Sequence, residues 1–287
     1  MLMKMKKDLN NEEFNQYYVS KPIKKMLDKS KYHVLTKDWD RVFIIDGAEG
    51  TGKSLLGLQL GFYIDRTLNL DRVTFSGEDF TDAIKKAEKG QCIIFDEAFN
   101  GLSSGGAMSS MNKLIVRNLQ ECRQKNLFII IILPTIFLLQ KYVAIFRSQC
   151  LFHVYSTSKG ERGYYRVYNR NNKKYLYLAG KKFYSYSKPF LRKSFIFRGK
   201  YPLNEQEYRK KKLESLKRES DYKNYLPGRQ WQSQRDEIIY FAHFKWKKTY
   251  DEIENVFANI EDKIHKRQIG DICREKRQKA QIQSSTI

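Results

Sequence analysis

Between residues 41 and 155, short apolar runs alternate with longer segments of helical period. Arg41-Val-Phe-Ile-Ile-Asp46 is an apolar run stopped by Gly47, the pattern of a strand buried on both faces of a parallel sheet. Leu55, Leu56, Leu58, Leu60, Phe62 and Ile64 crowd the stretch from Ser54 to Asp65, which is too long for a strand and has no proline, so it predicts a helix. A second strand is expected over Arg72 to Phe75, a polar helix over Glu78 to Lys89 and a third strand over Gln91 to Phe95. Asn100 to Ser110 is small, turn-favouring and without period, and predicts a loop. Met111, Leu114, Ile115, Leu119 and Cys122 then recur at helical spacing. Leu127 to Leu133 is a fourth strand, residues 136 to 146 a helix and Cys150 to Tyr155 a fifth strand. Strands alternating with helices predict an α/β fold with a parallel sheet.

Beyond residue 160 the pattern changes. Residues 162 to 201 interleave Tyr and Phe with Lys and Arg, often at alternate positions, and predict strands, with Arg170-Asn171-Asn172 as a hairpin turn. Asn204 with Glu207 matches a capping box and starts a basic helix. Pro227-Gly228 marks a boundary before three helices, Ser233 to Trp246, Tyr250 to Phe257 and Asp262 to about Lys279. The expected organisation is an N-terminal arm (1–30), an α/β core (31–157), a small β-rich basic segment with a linker helix (158–228) and a C-terminal helical domain (229–287).

Charge adds a partner to this picture. The chain carries 54 Lys and Arg against 32 Asp and Glu, a net +22, of which residues 161–287 contribute +16. Such a balance attracts polyanions, nucleic acid first among them. With 41% hydrophobic residues and only 5 Pro, a mainly disordered chain is excluded. Cys92, Cys122, Cys150 and Cys273 are far apart and form no CxxC pair, so neither a disulfide framework nor a zinc site is suggested. The first residues turn polar at once, without the apolar stretch of a secretory signal, and Leu127 to Leu139 is too short to span a bilayer. A reducing, cytoplasmic location without membrane insertion is the expectation.

The chemistry-bearing motif is Gly47-Ala48-Glu49-Gly50-Thr51-Gly52-Lys53-Ser54, which satisfies GxxxxGK[ST] between a predicted strand and a predicted helix. Its glycines let backbone N–H groups close around phosphate oxygens, and the helix N-terminus favours the anion. Lys53 would reach the β and γ phosphates and Ser54 would ligate Mg²⁺. The strand ending at Phe95 leads into Asp96-Glu97. Asp96 is a candidate Mg²⁺ ligand, and Glu97 a candidate base for the attacking water.

In this order of motifs the chain resembles the additional-strand ATPases of the P-loop NTPase class. Within them it is most similar to the HerA/FtsK-type DNA-translocating ATPases, in particular the zonular occludens toxin-like proteins of phages and mobile elements. Arg123 to Thr135 resembles their helix, basic turn and sensor strand, and Arg147 to Tyr155 their final strand. The resemblance implies ATP and Mg²⁺ as cofactors, a homo-oligomeric ring, and an arginine supplied to the neighbouring subunit's site, for which Arg117, Arg123 and Arg147 are candidates and Arg147 the preferred one. It places Thr135 at the γ-phosphate sensing position, although Pro134-Thr135 stands where such proteins often carry Thr-Gln or Asn. The membrane span that those relatives often carry is not found here. The implied activity is therefore an ATPase that moves or packages DNA for a virus or mobile element, in the cytoplasm, including that of an infected host, or associated with a virion. An ATP-switched DNA-binding regulator or transposition helper is the alternative, and a small-molecule kinase a more distant one.

The C-terminal helices resemble a helix-turn-helix pair. Thr249 can cap the first helix. On the second, Ile264, Ile269 and Ile272 share one face, leaving Lys266, Arg267, Arg274 and Arg277 on the other for DNA contacts. Residues 162 to 201 offer a possible stacking platform for single-stranded bases, but a small sheet with its rings turned inward is favoured. No histidine is assigned a role.

Overall fold

The apolar runs of the first half form the centre of a seven-stranded sheet. The protein is described here from a computed structural model, over residues 17–96, 98, 105–224, 227–258 and 264–284. In chain order the elements are β1 (Tyr17–Tyr18), α1 (Lys21–Thr36), β2 (Arg41–Gly47), α2 (Lys53–Ile64), β3 (Val73–Thr74), α3 (Gly77–Lys86), β4 (Cys92–Phe95), α4 (Gly105–Lys125) and β5 (Phe128–Ile132). They continue with β6 (Cys150–Tyr155), β7 (Tyr164–Tyr168), α5 (Arg170–Gly180), β8 (Phe195–Ile196), β9 (Arg198–Gly199), α6 (Glu205–Asn224), α7 (Pro227–Phe244), α8 (Tyr250–Phe257) and α9 (Lys266–Ser284).

The sheet order is β3-β4-β5-β2-β6-β7-β8, with β1 and β9 pairing apart from it. The strands from β3 to β6 run parallel, and β7 and β8 add antiparallel at one edge. The α/β expectation holds, but the sheet is mixed. The aromatic segment does not build a sheet of its own; β7 and β8 extend the core sheet and β9 pairs with β1.

Period-two alternation splits the central strands between two cores. Phe128, Ile130 and Ile132 face the side covered by α1 and α2, with Phe43, Ile45 and Phe152. Ile129 and Ile131 face α3, α4 and α5, with Ile44, Phe95 and Leu151. Both faces are covered, which is why these strands read as unbroken apolar runs. On α2, Gly57 and Gly61 lie against Ile132 and Ile94, where even a Cβ would crowd the strand side chains.

Several expectations are corrected. Arg170 to Asn172 is not a hairpin turn: Asn169 caps α5 through its side chain, which accepts from the Asn172 amide at 2.9 Å. Lys173, Leu176, Tyr177 and Gly180 form the buried face of that helix, and the turn of the hairpin is instead residues 156–163, joining β6 to β7. Residues 105–110 are helical, so the predicted loop is shorter at its far end. Residues 136–146 are not one α-helix but a 3₁₀ turn over Ile136–Leu138 and a π-helical segment, Tyr142–Arg147. Of the expected N-terminal arm (1–30), residues 21–30 belong to α1, whose Ile23, Leu27 and Val34 are buried in the core.

The buried ammonium of Lys173 closes the π-helical segment. It donates to the carbonyls of Ala144 and Ser148, each at 2.7 Å, with the Ile145 carbonyl and the Ser148 hydroxyl also in reach. Burial drives its pKa down to about 8, which leaves it charged at neutral pH.

The chain divides into two compact units between Leu216 and Lys217, within α6, rather than at Pro227-Gly228, where a helix begins. Asn204 accepts from the Gln206 and Glu207 amides as α6 starts, the N-cap half of the predicted capping box, and its own side-chain amide donates to Glu207. In the second unit, Ile239, Ile253, Phe257, Ile264, Ile269 and Cys273 form a separate core. Thr249 and Glu252 make a complete capping box on α8.

Candidate functional site

A cavity of about 550 Å³ opens at the carboxyl ends of β2, β4 and β5, where open α/β sheets place their ligands. The Gly47–Ser54 loop forms one wall. Gly47 sits at φ 142°, and a Cβ there would lie 2.0 Å from the Val154 carbonyl oxygen, so only glycine lets β2 approach β6 at this point. Gly50 and Gly52 are also at positive φ, and Gly52 precedes the first residue of α2. Thr51 donates to the Ala48 carbonyl at 2.7 Å, and Lys53 Nζ donates to the Gly47 and Ala48 carbonyls, both at 2.8 Å.

The loop is thus a closed curve around an ammonium. Among the described residues, the amides of Glu49, Gly50, Thr51, Gly52, Ser54 and Leu55 have no protein acceptor. A concave run of free donors at a helix N-terminus matches an anion such as a phosphate chain.

Asp96, at the end of β4, is buried and lines the same cavity as Ser54. Its amide donates to the Thr74 carbonyl at 2.9 Å, and the amide of Ala98 donates to the Ile132 carbonyl at 3.1 Å. Glu97 itself lies outside the described residues. Tyr208 of α6 is the unforeseen member of the group. Its hydroxyl donates to the Asp96 carboxylate and also hydrogen-bonds Ser54. Burial, reinforced by the adjacent carboxylate, pushes the Tyr208 pKa well up, which keeps the phenol protonated.

Cations converge from other elements. Arg162 from the β6–β7 turn and Arg209 and Lys212 from α6 line the cavity with Lys53, together with the acidic Glu49 and Asp96; the Arg209 guanidinium is also paired with Glu205. None of the three was marked by a motif; all lie more than 100 residues beyond the loop and arrive through the antiparallel extension and α6. Lys211 anchors that helix by donating to the carbonyls of Leu70 and Val73.

Thr135 does not line this cavity, although its neighbour Pro134 does. The Thr135 hydroxyl is 2.8 Å from that of Tyr186 and accepts from the Phe137 amide, so it turns the chain rather than facing the loop. Tyr186 in turn donates to Asp46, a fully buried carboxylate that also accepts from the Ile136 amide at 2.8 Å and has His153 Nδ1 at 2.8 Å. This group fixes the end of β2 immediately before Gly47, a role for His153 that the scattered histidines gave no reason to expect.

The three candidate arginines are not in the cavity. Arg147 donates to the Asp40 carboxylate and, at 2.8 Å, to the Leu119 carbonyl, at the opposite end of the strands. The Arg147 guanidinium is thus held inside its own chain, with 14% of its side chain exposed. Arg123 is exposed at that same end, and Arg117 is exposed on α4.

Of the candidate DNA contacts on α9, Lys266 pairs with Asp251 and Arg274 with Asp271, both exposed pairs of small energetic weight. Arg267 and Arg277 are exposed and form no ion pair among the described residues. Gly270 is accommodated inside α9, with open packing against Tyr250.

Among the described residues no helix is long and apolar enough to cross a membrane, and no cluster of three or more His, Cys, Asp or Glu side chains could hold a metal by itself. No protein-family model and no curated protein matches the chain.

Proposed function

We propose that the chain is a Mg²⁺-dependent P-loop ATPase acting on DNA. The observation that carries this is the Gly47–Ser54 loop, with its unpaired amides and its lysine set at the mouth of a cation-lined cavity. Lys53, Arg162, Arg209 and Lys212 supply the positive charge that a triphosphate needs. Ser54 and Asp96 would hold Mg²⁺ together with the nucleotide's own oxygens, a sparse protein ligand set that suits this ion. Bound Mg²⁺ neutralises charge developing on the phosphates. The sheet order supports the same class, since β5 lies between the strand feeding the loop and the strand ending at Asp96, the additional strand for which these ATPases are named. DNA as partner rests on the net charge of +22 and on the exposed basic face of α9. In a ring, Arg117 and Arg123 are the exposed candidates for a contribution in trans.

Titrating ATP and Mg²⁺ into the wild-type protein and into Lys53→Ala tests nucleotide binding directly. Saturable binding by the wild type that is weakened in the variant is expected, and equal binding by both removes the loop from the assignment.

Tyr208 favours a switched form of this activity. Its hydroxyl engages both Asp96 and Ser54, so α6 must yield before these two residues can hold a cation. Tyr208→Phe removes a hydrogen bond to a carboxylate, about 1.5–3 kcal/mol, and is expected to lower the Mg²⁺ concentration needed for half-maximal nucleotide binding by roughly tenfold. An unchanged or raised Mg²⁺ requirement would show that the phenol does not compete with the cation.

A further inference from the structure

At the opposite end of the strands from the Gly47–Ser54 loop lies a larger cleft, of about 840 Å³. Arg41, Arg123, Arg147 and Arg170 line it, against only two carboxylates, Asp38 and Asp40. Asp40 is already engaged by Arg147. Arg123 and Arg170 form no ion pair among the described residues.

Arg41 is the unusual member. It is only 6% exposed, yet its Nε has no hydrogen-bond partner, and its other nitrogens reach a carbonyl and the His33 ring rather than a carboxylate. A buried guanidinium with an unpartnered Nε, whose neighbouring carboxylate Asp40 is hydrogen-bonded to Arg147 instead, is stabilised by an anion arriving from outside. Burial lowers the Arg41 pKa, the Asp40 charge opposes that shift, and the nearby Arg170 adds to it.

Aromatic rings accompany the charge. The Arg41 guanidinium stacks over Trp39 at 4.6 Å. Trp39, Tyr142 and Phe146 line the cleft at 51%, 43% and 61% exposure, far from the near-zero values of the core aromatics. Tyr142 and Phe146 both stand on the π-helical segment Tyr142–Arg147, a geometry frequent at functional sites.

We propose that this cleft binds single-stranded nucleic acid, with phosphates on Arg41, Arg123 and Arg170 and bases stacked on Trp39, Tyr142 and Phe146. Guanidiniums beside exposed ring faces are the combination that holds unpaired bases without regard to sequence, whereas a duplex keeps its base faces stacked inside. Nucleic acid is the partner shared with the function proposed above, but the cleft itself requires no nucleotide hydrolysis.

Fluorescence anisotropy with a labelled oligo(dT) of about 20 nucleotides, on the full chain, tests this. Trp39→Ala and Phe146→Ala change exposed side chains and are each expected to weaken binding roughly 5- to 100-fold. They should leave basal ATP hydrolysis and affinity for a blunt duplex unchanged. Arg170→Ala should flatten the log-log salt dependence by about 0.7. Unaltered oligo(dT) affinity in both aromatic variants overturns the proposal. So does a change in sedimentation without a change in affinity, which would make the cleft an interface between copies of the chain. A wild-type protein that hydrolyses ATP but binds no oligo(dT) overturns the cleft assignment and leaves the ATPase intact; binding without hydrolysis does the reverse.

Discussion

Glu97→Gln protein is expected to bind ATP as the wild type does and to hydrolyse it roughly 10²- to 10⁴-fold more slowly. The expectation comes from chemistry and position. Glu97 directly follows Asp96, a buried carboxylate that shares a cavity with Lys53 and Ser54. A carboxylate there can accept the proton of an attacking water, and an isosteric amide cannot. Charge removal leaves the loop and its amides untouched, so binding and turnover separate, and the effect falls on kcat rather than on affinity. Single-turnover hydrolysis alongside equilibrium binding reads both quantities. Wild-type turnover in this variant would move the base elsewhere.

Lys173→Met is expected to cost about 3 kcal/mol of stability. Methionine fills a similar length of side chain but donates nothing, and the carbonyls of Ala144 and Ser148 lose their 2.7 Å partner inside the core. Each orphaned buried acceptor costs about 1–3 kcal/mol, and relief of the buried charge returns part of that. Urea denaturation of the two proteins measures the difference. Equal midpoints and slopes would mean that burying the ammonium costs as much as its hydrogen bonds return. The π-helical segment that Lys173 closes also carries Tyr142 and Phe146, so a loosened variant should show weaker oligo(dT) binding too.

What could be read from the sequence was what local pattern determines. β2, β4, β5 and β6 lie within a residue or two of their expected limits because a strand covered on both faces must be apolar throughout. The glycine-rich loop was legible for the same reason, since positive φ at Gly50 and Gly52 is a demand on residue type. α1 was missed although its signal was present: Ile23, Leu27, Ser30 and Val34 recur at helical spacing after a proline in the first turn. α5 is masked in the sequence because Asn-Asn also suits a turn, whereas Asn169 serves as a helix cap, and the alternating tyrosines overlie the Lys173, Leu176, Tyr177 face.

Contacts between distant residues left no such trace. Tyr208 meets Asp96 across 112 positions and Tyr186 meets Asp46 across 140. Nothing local distinguishes these tyrosines from the many others in the chain; only the antiparallel extension of the sheet and the course of α6 bring them to the strand ends. The arginines left no local trace either. Arg147 had the right residue type in the expected order, yet its guanidinium is consumed by Asp40, while Arg162 and Arg209, which carry no motif, line the cavity.

We propose that Lys53, Ser54 and Asp96 form a Mg²⁺-dependent ATP-hydrolysing site coupled to DNA. The most direct measurement is the steady-state rate of phosphate release from ATP and Mg²⁺ by the wild-type protein and by Lys53→Ala, each with and without single-stranded and duplex DNA. Mg²⁺-dependent release that DNA stimulates, and that Lys53→Ala abolishes under every condition, is the result predicted. Release that is absent from the wild type, or that persists undiminished in Lys53→Ala, would contradict it.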